Sequence, residues 1–310
     1  MDSLGTFLRL TYTGISEGAL LALIALGLVL VFKSSDVINF AHGEFMMMGA
    51  YVIFQLLLWF QPVIPTGFPE GAVVLLSLGV GILVLVAIAV VVERLVLRPL
   101  IGESVISVIM VTVGLSSIIR ALVGAIWGAQ PQRLPMTIIP RDFLDLTLPG
   151  MEQALRLPLN RLYTIGIVVL LVVVLIIFFR RSKEGVAMRA TADDQQAAMS
   201  MGISIQRVFA LTWSIAAVIA GMAGLLVANL INVSGDITGV GLRAFPVIIL
   251  GGLDSILGAI VGGLIIGLVE QYASGYIDPS LKNVIPYIIV IVILMFRPYG
   301  LFGRKVIERV

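Results

Sequence analysis

Long apolar runs separated by short polar breaks set the pattern of this chain. They fall at 12–32, 45–60, 72–92, 104–127, 161–179, 208–231, 255–272 and 284–296. A helix needs about 20 apolar residues to cross a bilayer core, and most of these runs approach that length. Backbone groups in lipid must pair within their own segment, so the runs predict helices. The fold class expected is an all-α polytopic membrane protein, one transmembrane domain over 1–310, with about 8 spans.

Two stretches interrupt the pattern. Residues 128–160 carry Pro131, Pro135, Pro140, Pro149 and Pro158. Prolines at that density forbid a continuous helix, so the stretch reads as a long loop. Residues 180–207 hold Arg180, Arg181, Lys183, Arg189 and Arg207, and the positive-inside rule places them in the cytoplasm. Counting back five spans puts the N-terminus outside, and Lys33, Arg94 and Arg98 inside. The 128–160 loop is then extracytoplasmic, with Arg133, Arg141 and Arg156 offset by Asp142, Asp145 and Glu152.

The tail, with Arg297, Arg304, Lys305 and Arg309, is also expected inside. An even number of crossings must then follow residue 208, yet only three clear runs remain. The missing crossing falls to GLRAFPVIILGG, 241–252, which contains Phe245 and Pro246. It predicts a short broken or half-length helix. Such interruptions survive at membrane depth only inside protein or beside a watery cavity, and they often mark transport pathways.

Composition narrows the chemistry. The chain is 59% hydrophobic and 12% charged, against about 25% charged in soluble domains. No cysteine is present, which excludes disulfides and thiolate sites, and one histidine argues against a histidine metal cluster. A net charge of +2 gives no footprint for nucleic acid. The first apolar run lacks a cleavage-site pattern and reads as a retained span. Small residues four apart, such as Gly14/Gly18, Gly258/Gly262 and Gly263/Gly267, suit close helix approach in lipid. The run GAIVGGLIIG predicts a helix–helix seam.

Within the cytoplasmic segment, 186–207 reads as a loop with a short helix. Thr191 followed by Asp194 resembles a helix start, and Gly202 suits its end. Arg189, Asp193, Gln196 and Ser200 form a polar stripe, with Ala190, Ala197, Ala198 and Met201 opposite. Alanines and acids make a poor lipid anchor. The helix therefore reads as a knob for a groove on a partner protein.

The stretch Ala197–Ala198–Met199–Ser200–Met201–Gly202 resembles the coupling-loop signature of ABC importer permeases, with Gln196 where the family often has Glu. VINFAHGEFMMMGAY (37–51), RATADDQQAAMSMGIS (189–204), AGMAGLL (220–226), GLRAFPVIILGGLDSILGAIVGGLIIGLVE (241–270) and RPYGLFG (297–303) are similar to branched-chain amino acid permease subunits of the LivH type. The resemblance implies a bacterial plasma-membrane importer that works by alternating access. It implies a second related permease subunit in a heterodimer, two cytoplasmic ATP-binding subunits and an extracytoplasmic binding protein. ATP and Mg would be used by the ATPases, with no cofactor bound by this chain. Independently, none of Lys33, Lys183, Lys282 or Lys305 follows a glycine, so the chain lacks a Walker A loop.

Other residues admit two readings. Asn39, His42, Gly43 and Glu44 lie between two runs. They form either a cytoplasmic turn or an irregular segment that returns into the bundle. Arg120 lies within a span and is expected to snorkel to its outer end, the alternative being an intramembrane role. Thr112, Ser116 and Ser117 share that run and either face a polar path or pack. Asp254 reads as a helix cap. Asn229 and Asn232 line a vestibule or end a helix. A urea or short-amide permease, a stand-alone secondary transporter or channel, and an intramembrane enzyme are the alternatives. The secondary transporter would need buried ionisable groups, of which Arg120, Glu17 and Glu270 are the few on offer.

Overall fold

The computed structural model describes residues 3–35, 37–63, 69–136, 138–147 and 154–303. Among the described residues seven helices, each with its flanking turns, are long and apolar enough to cross a membrane. They are built on α1 (Ser3–Ser35), α2 (His42–Phe60), α3 (Glu70–Val92), α4 (Val105–Trp127), α5 (Leu159–Arg181), α8 (Ile205–Ile231) and α11 (Ile256–Tyr276). Between α5 and α8 lie two short polar helices, α6 (Lys183–Asp193) and α7 (Gln195–Ser200).

The run expected as an eighth span, 284–296, forms a short helix of nearly its own length. α12 (Ile285–Phe296) has 12 residues, or about 18 Å at 1.5 Å per residue. That falls short of the roughly 30 Å hydrocarbon core. The expected interrupted helix is present. Its two pieces are α9 (Ile237–Leu242) and α10 (Ala244–Gly251), with the break at Arg243. The tail residues Arg304, Lys305 and Arg309, and Pro149 and Glu152, lie outside the described residues.

The chain divides into two compact units, and α1 contributes to both, as far as Val29 to one and from Leu30 to the other. The first unit comprises 1–29, 139–172 and 243–310. Here α1 and α11 meet along glycines. A Cβ placed on Gly18 would sit 2.8 Å from the Gly263 carbonyl oxygen, and one on Gly263 would sit 2.7 Å from the backbone of Ala22. Only hydrogen side chains allow that approach, so the seam expected from GAIVGGLIIG is real. The long loop is not wholly irregular. Strands β1 (Phe143–Leu146) and β2 (Leu155–Pro158) pair antiparallel, with Phe143 opposite Pro158. The Tyr12 hydroxyl donates to the Pro158 carbonyl at 2.7 Å and ties α1 to this hairpin.

The RPYGLFG element now has a structural reason. The end of α10 leaves carbonyls without helical donors. Leu301 N–H donates to the Leu250 carbonyl at 2.8 Å, and Phe302 N–H to that of Gly251 at 3.0 Å. Gly252 and Gly300 adopt φ of +104° and +76°, the left-handed region that glycine tolerates.

The second unit comprises 30–138 and 173–242. α2 packs along α8 through Gly49 facing Gly221 and Gly224 facing the Met46 backbone. Ile53, Leu57 and Leu225 form an apolar core, with Leu134, Met136 and Ile138 packed over it. α3 continues past Val92 through a π-turn (Glu93–Leu97) and a 3-10 turn (Arg98–Leu100). Buried Glu93 pairs there with Arg98 at 2.9 Å.

Candidate functional site

Three polar groupings stand out against this apolar background. The first is the polar segment between α5 and α8. One helix starting at Thr191 was expected, but the chain builds two. Thr191 is buried inside α6 and caps nothing. At Asp194 the backbone is extended, with φ −159° and ψ 110°. Its carboxylate Oδ1 accepts from the N–H groups of Gln196 (2.8 Å) and Ala197 (2.9 Å), so Asp194 is the N-cap of α7. At the other end Gly202 has φ +84°. Gly202 N–H donates to Met199 and Ile203 N–H to Ala198, which is a Schellman closure.

The expected apolar face also needs correction. Ala198 turns into the chain and is buried, whereas Ala197 faces outward. Met199 and Met201 are 53% and 83% exposed. The reason is the break at Asp194, which puts α7 out of phase with α6. Gln195 donates to the Ser34 carbonyl at 3.4 Å, and Arg207 pairs with Glu184 at 2.9 Å, so the segment is braced from both ends. What it presents outward is two flexible, polarisable thioethers, suited to an irregular partner surface.

The second grouping is Asn39–Glu44 with α4. Asn39, His42 and Glu44 are all buried, so this is no water-facing turn. Asn39 Oδ1 accepts from Ala41 N–H at 3.0 Å. Phe40 N–H points to Thr112 Oγ1 at 3.4 Å. Gly43 lets α9 close on the segment, since a Cβ there would lie 2.7 Å from the Thr238 carbonyl. Arg120 has a partner inside the chain. Its Nη2 donates to Glu44 Oε1 at 2.6 Å, pairing a buried carboxylate with a guanidinium that is 62% exposed in this chain. Ser116 and Ser117 bond back to the Val113 carbonyl of their own helix and take no part. Phe245 and Pro246 belong to α10 of the first unit, Pro246 buried and Phe245 partly so.

Asp254 is not the cap expected of it. Ser255 takes that position, its hydroxyl accepting from Gly258 N–H at 2.9 Å. Asn232 ends α8 with φ +99°, and Asn229 is buried near that end.

The third grouping was not assembled by sequence reasoning. Glu17 (α1), Arg161 (α5), Arg243 (the α9–α10 break), Glu270 (α11) and Lys282 (a 3-10 turn, Pro279–Asn283) converge within the first unit. Glu17 meets Lys282 at 2.8 Å, and Arg161 and Arg243 at 3.6 Å each. Glu270, fully buried, bonds Arg243. The carboxylates were visible as ionisable groups inside spans. The cations sit at helix ends or in turns and read as loop charges. No group of metal-ligand type occurs among the described residues.

A multi-pass helical bundle with an interrupted helix, polar groups buried among its apolar helices and a braced polar knob fits a membrane transport component. The chain belongs to the family described as "Branched-chain amino acid transport system / permease component", whose pattern matches residues 10–294. It is a multi-pass inner-membrane protein, and its family is one of transport subunits rather than of catalytic enzymes. It is 31% identical over 309 residues to the "High-affinity branched-chain amino acid transport system permease protein LivH" of Escherichia coli (strain K12), covering 98% of each chain. It is 29% identical to the "High-affinity branched-chain amino acid transport system permease protein BraD" of Pseudomonas aeruginosa over the full length of both. A "Probable branched-chain amino acid transport permease protein LivH" of Methanocaldococcus jannaschii is 31% identical, covering 93% of this chain and 92% of its own. No solved structure matches the chain.

Proposed function

We propose that this chain is the permease subunit of an ATP-driven importer of branched-chain amino acids. It pairs with a second, related permease. Two ATP-binding subunits grip it from the cytoplasm, and an extracytoplasmic binding protein delivers the substrate. The ATPases use ATP and Mg. The observation that carries the reading is the braced α7 knob, with Met199 and Met201 exposed on an otherwise polar segment. A lipid-facing anchor would carry bulky apolar residues opposite lysines and arginines. This one carries a capped single turn and two methionines. Thr191, Asp194, Ala198 and Gly202 hold the turn in shape, and Ala197, Met199 and Met201 make the contact. Nucleotide-driven closure of the ATPase pair moves the knob and so switches which side of the permease pair is open. The relatives' names favour branched-chain amino acids over urea or short amides.

Because the chain has no cysteine, Met199→Cys supplies a unique thiol. In the assembled transporter a short bifunctional reagent should join it to the ATPase subunit, with the yield changing when a non-hydrolysable nucleotide is added. Crosslinks only to lipid, or none in a complex that still imports, would refute the docking role.

A further inference from the structure

The charge cluster of the first unit is unbalanced. It holds three cations, Arg161, Arg243 and Lys282, against two carboxylates, Glu17 and Glu270. Glu270 is committed to Arg243, and Glu17 to Lys282 at 2.8 Å. Arg161 is left with a 3.6 Å approach to Glu17, beyond hydrogen-bond range. Its Nη1 is buried and makes no hydrogen bond, and neither do the buried Arg243 Nε and Glu270 Oε1, so the cluster is under-satisfied on both signs while carrying one cation in excess. A charged donor shut away from water without an acceptor costs free energy. A network serving only to pin helices would be expected to pair off its charges.

The cluster is also partly open. The side chains of Glu17, Arg161, Arg243 and Lys282 keep 16%, 23%, 25% and 29% of their exposure, while Glu270 at 0% anchors the closed side. Its depth follows from α1. Tyr12 is tied to the end of the β1–β2 hairpin, and Glu17 lies one and a half turns further along, about 7.5 Å at 1.5 Å per residue. The cluster thus sits just below the β1–β2 hairpin, which the expected topology puts on the side from which solute would be delivered. Arginine offers a planar fork that matches a carboxylate with two parallel hydrogen bonds.

We propose that this cluster binds the carboxylate of the transported solute, with Arg161 as the principal ligand and Lys282 supporting it. One added carboxylate balances the charge and gives the buried Nη1 its acceptor. The proposal rests on the import reading for the identity of the solute, but its chemistry is testable separately.

The test uses the purified membrane complex, permease pair with ATPases, and two probes of the same branched skeleton, isovalerate and isovaleramide. Isovalerate should raise the melting temperature and the amide should not. Arg161→Gln should weaken the isovalerate response about tenfold or more, as expected for losing a charge-assisted pair. Arg161→Lys should keep part of it. Lys282→Gln, in a partly exposed turn, should also weaken it and serves if Arg161→Gln does not assemble. Equal responses to acid and amide in the unaltered complex would overturn the site. So would a variant that melts lower yet still distinguishes the probes as before, which is what a merely structural network would give. If acid and amide separate as expected but the reconstituted complex, supplied with its binding protein, shows no ATP-dependent leucine uptake, the site stands and the import reading falls. If uptake proceeds while Arg161→Gln leaves the probe response unchanged, the import reading stands and the site falls.

Discussion

At the scale of single residues, the Glu44–Arg120 pair marks where sequence reasoning reached its limit. Both residues were visible as candidates, but they are 76 positions apart, and nothing in either run says that they meet. The depth of Arg120 along its helix suggested snorkelling. A buried acid on α2 instead gives it a partner inside the bundle. The pair is asymmetric, since Glu44 is almost wholly covered and Arg120 is largely open in this chain. Removing the cation strands a buried carboxylate, whereas removing the acid leaves a guanidinium that other groups can solvate. Arg120→Ala should therefore destabilise by about 1–3 kcal/mol, and Glu44→Gln by clearly less. Thermal melts of the detergent-purified chain test the order, and equal losses would mean that burial does not decide the cost. The turn around Asp194 carries the same lesson at shorter range. The sequence read Thr191 as the cap and Asp194 as its partner three residues on, whereas the extended backbone at Asp194 makes Asp194 itself the cap.

At the scale of elements, spacing was legible where it reflects backbone contact, but glycine content alone was not. The seam between α1 and α11 follows from Gly14, Gly18, Gly263 and Gly267: the last three meet a neighbouring helix at a distance that no Cβ tolerates, and Gly14 is tight at 3.0 Å. Gly114 and Gly124 on α4 have the same composition but nothing within 4 Å. Sequence cannot separate these cases, because a glycine looks the same whether or not another helix approaches it. The prediction follows from the contacts. Gly18→Leu should strip assembled protein from the membrane fraction or lower its melting temperature by many degrees, because helix and partner backbone must separate. Gly124→Ala should be neutral in this chain or stabilise it by about 0.8–1 kcal/mol through helix propensity. A large loss at Gly124 in the isolated chain would mean that α4 is packed in a way these contacts do not include. The interrupted helix was legible for a different reason. A count of crossings demanded it, and Pro246 with flanking glycines supplied the means.

At the scale of the whole molecule, the hydrophobic pattern gave the architecture and left the chemistry scattered. Eight apolar runs were legible, and among the described residues seven of them form helices long enough to span, because lipid allows little else. Only 17% of the most apolar stretch of α4, and likewise of α5, is buried in the chain. Their outer faces therefore meet lipid or another subunit, which an apolar run alone does not distinguish. The charge cluster was illegible because its members come from segments far apart in sequence. The topology itself is open to a decisive check, since the absence of cysteine makes single thiols clean reporters. In the topology expected from the positive residues, α8 leaves the cytoplasmic side after Met201. If 237–251 returns through the membrane despite its break, α11 must cross again, and Ile277 at its end emerges outside. Both Met201 and Ile277 are well exposed. In intact cells or right-side-out vesicles, a membrane-impermeant maleimide should label Ile277→Cys and spare Met201→Cys, and inverted vesicles should reverse the result. Labelling of both from one side would mean that the broken helix dips and returns without crossing. The C-terminal segment would then lie opposite to where the positive residues put it, because losing one crossing inverts everything downstream.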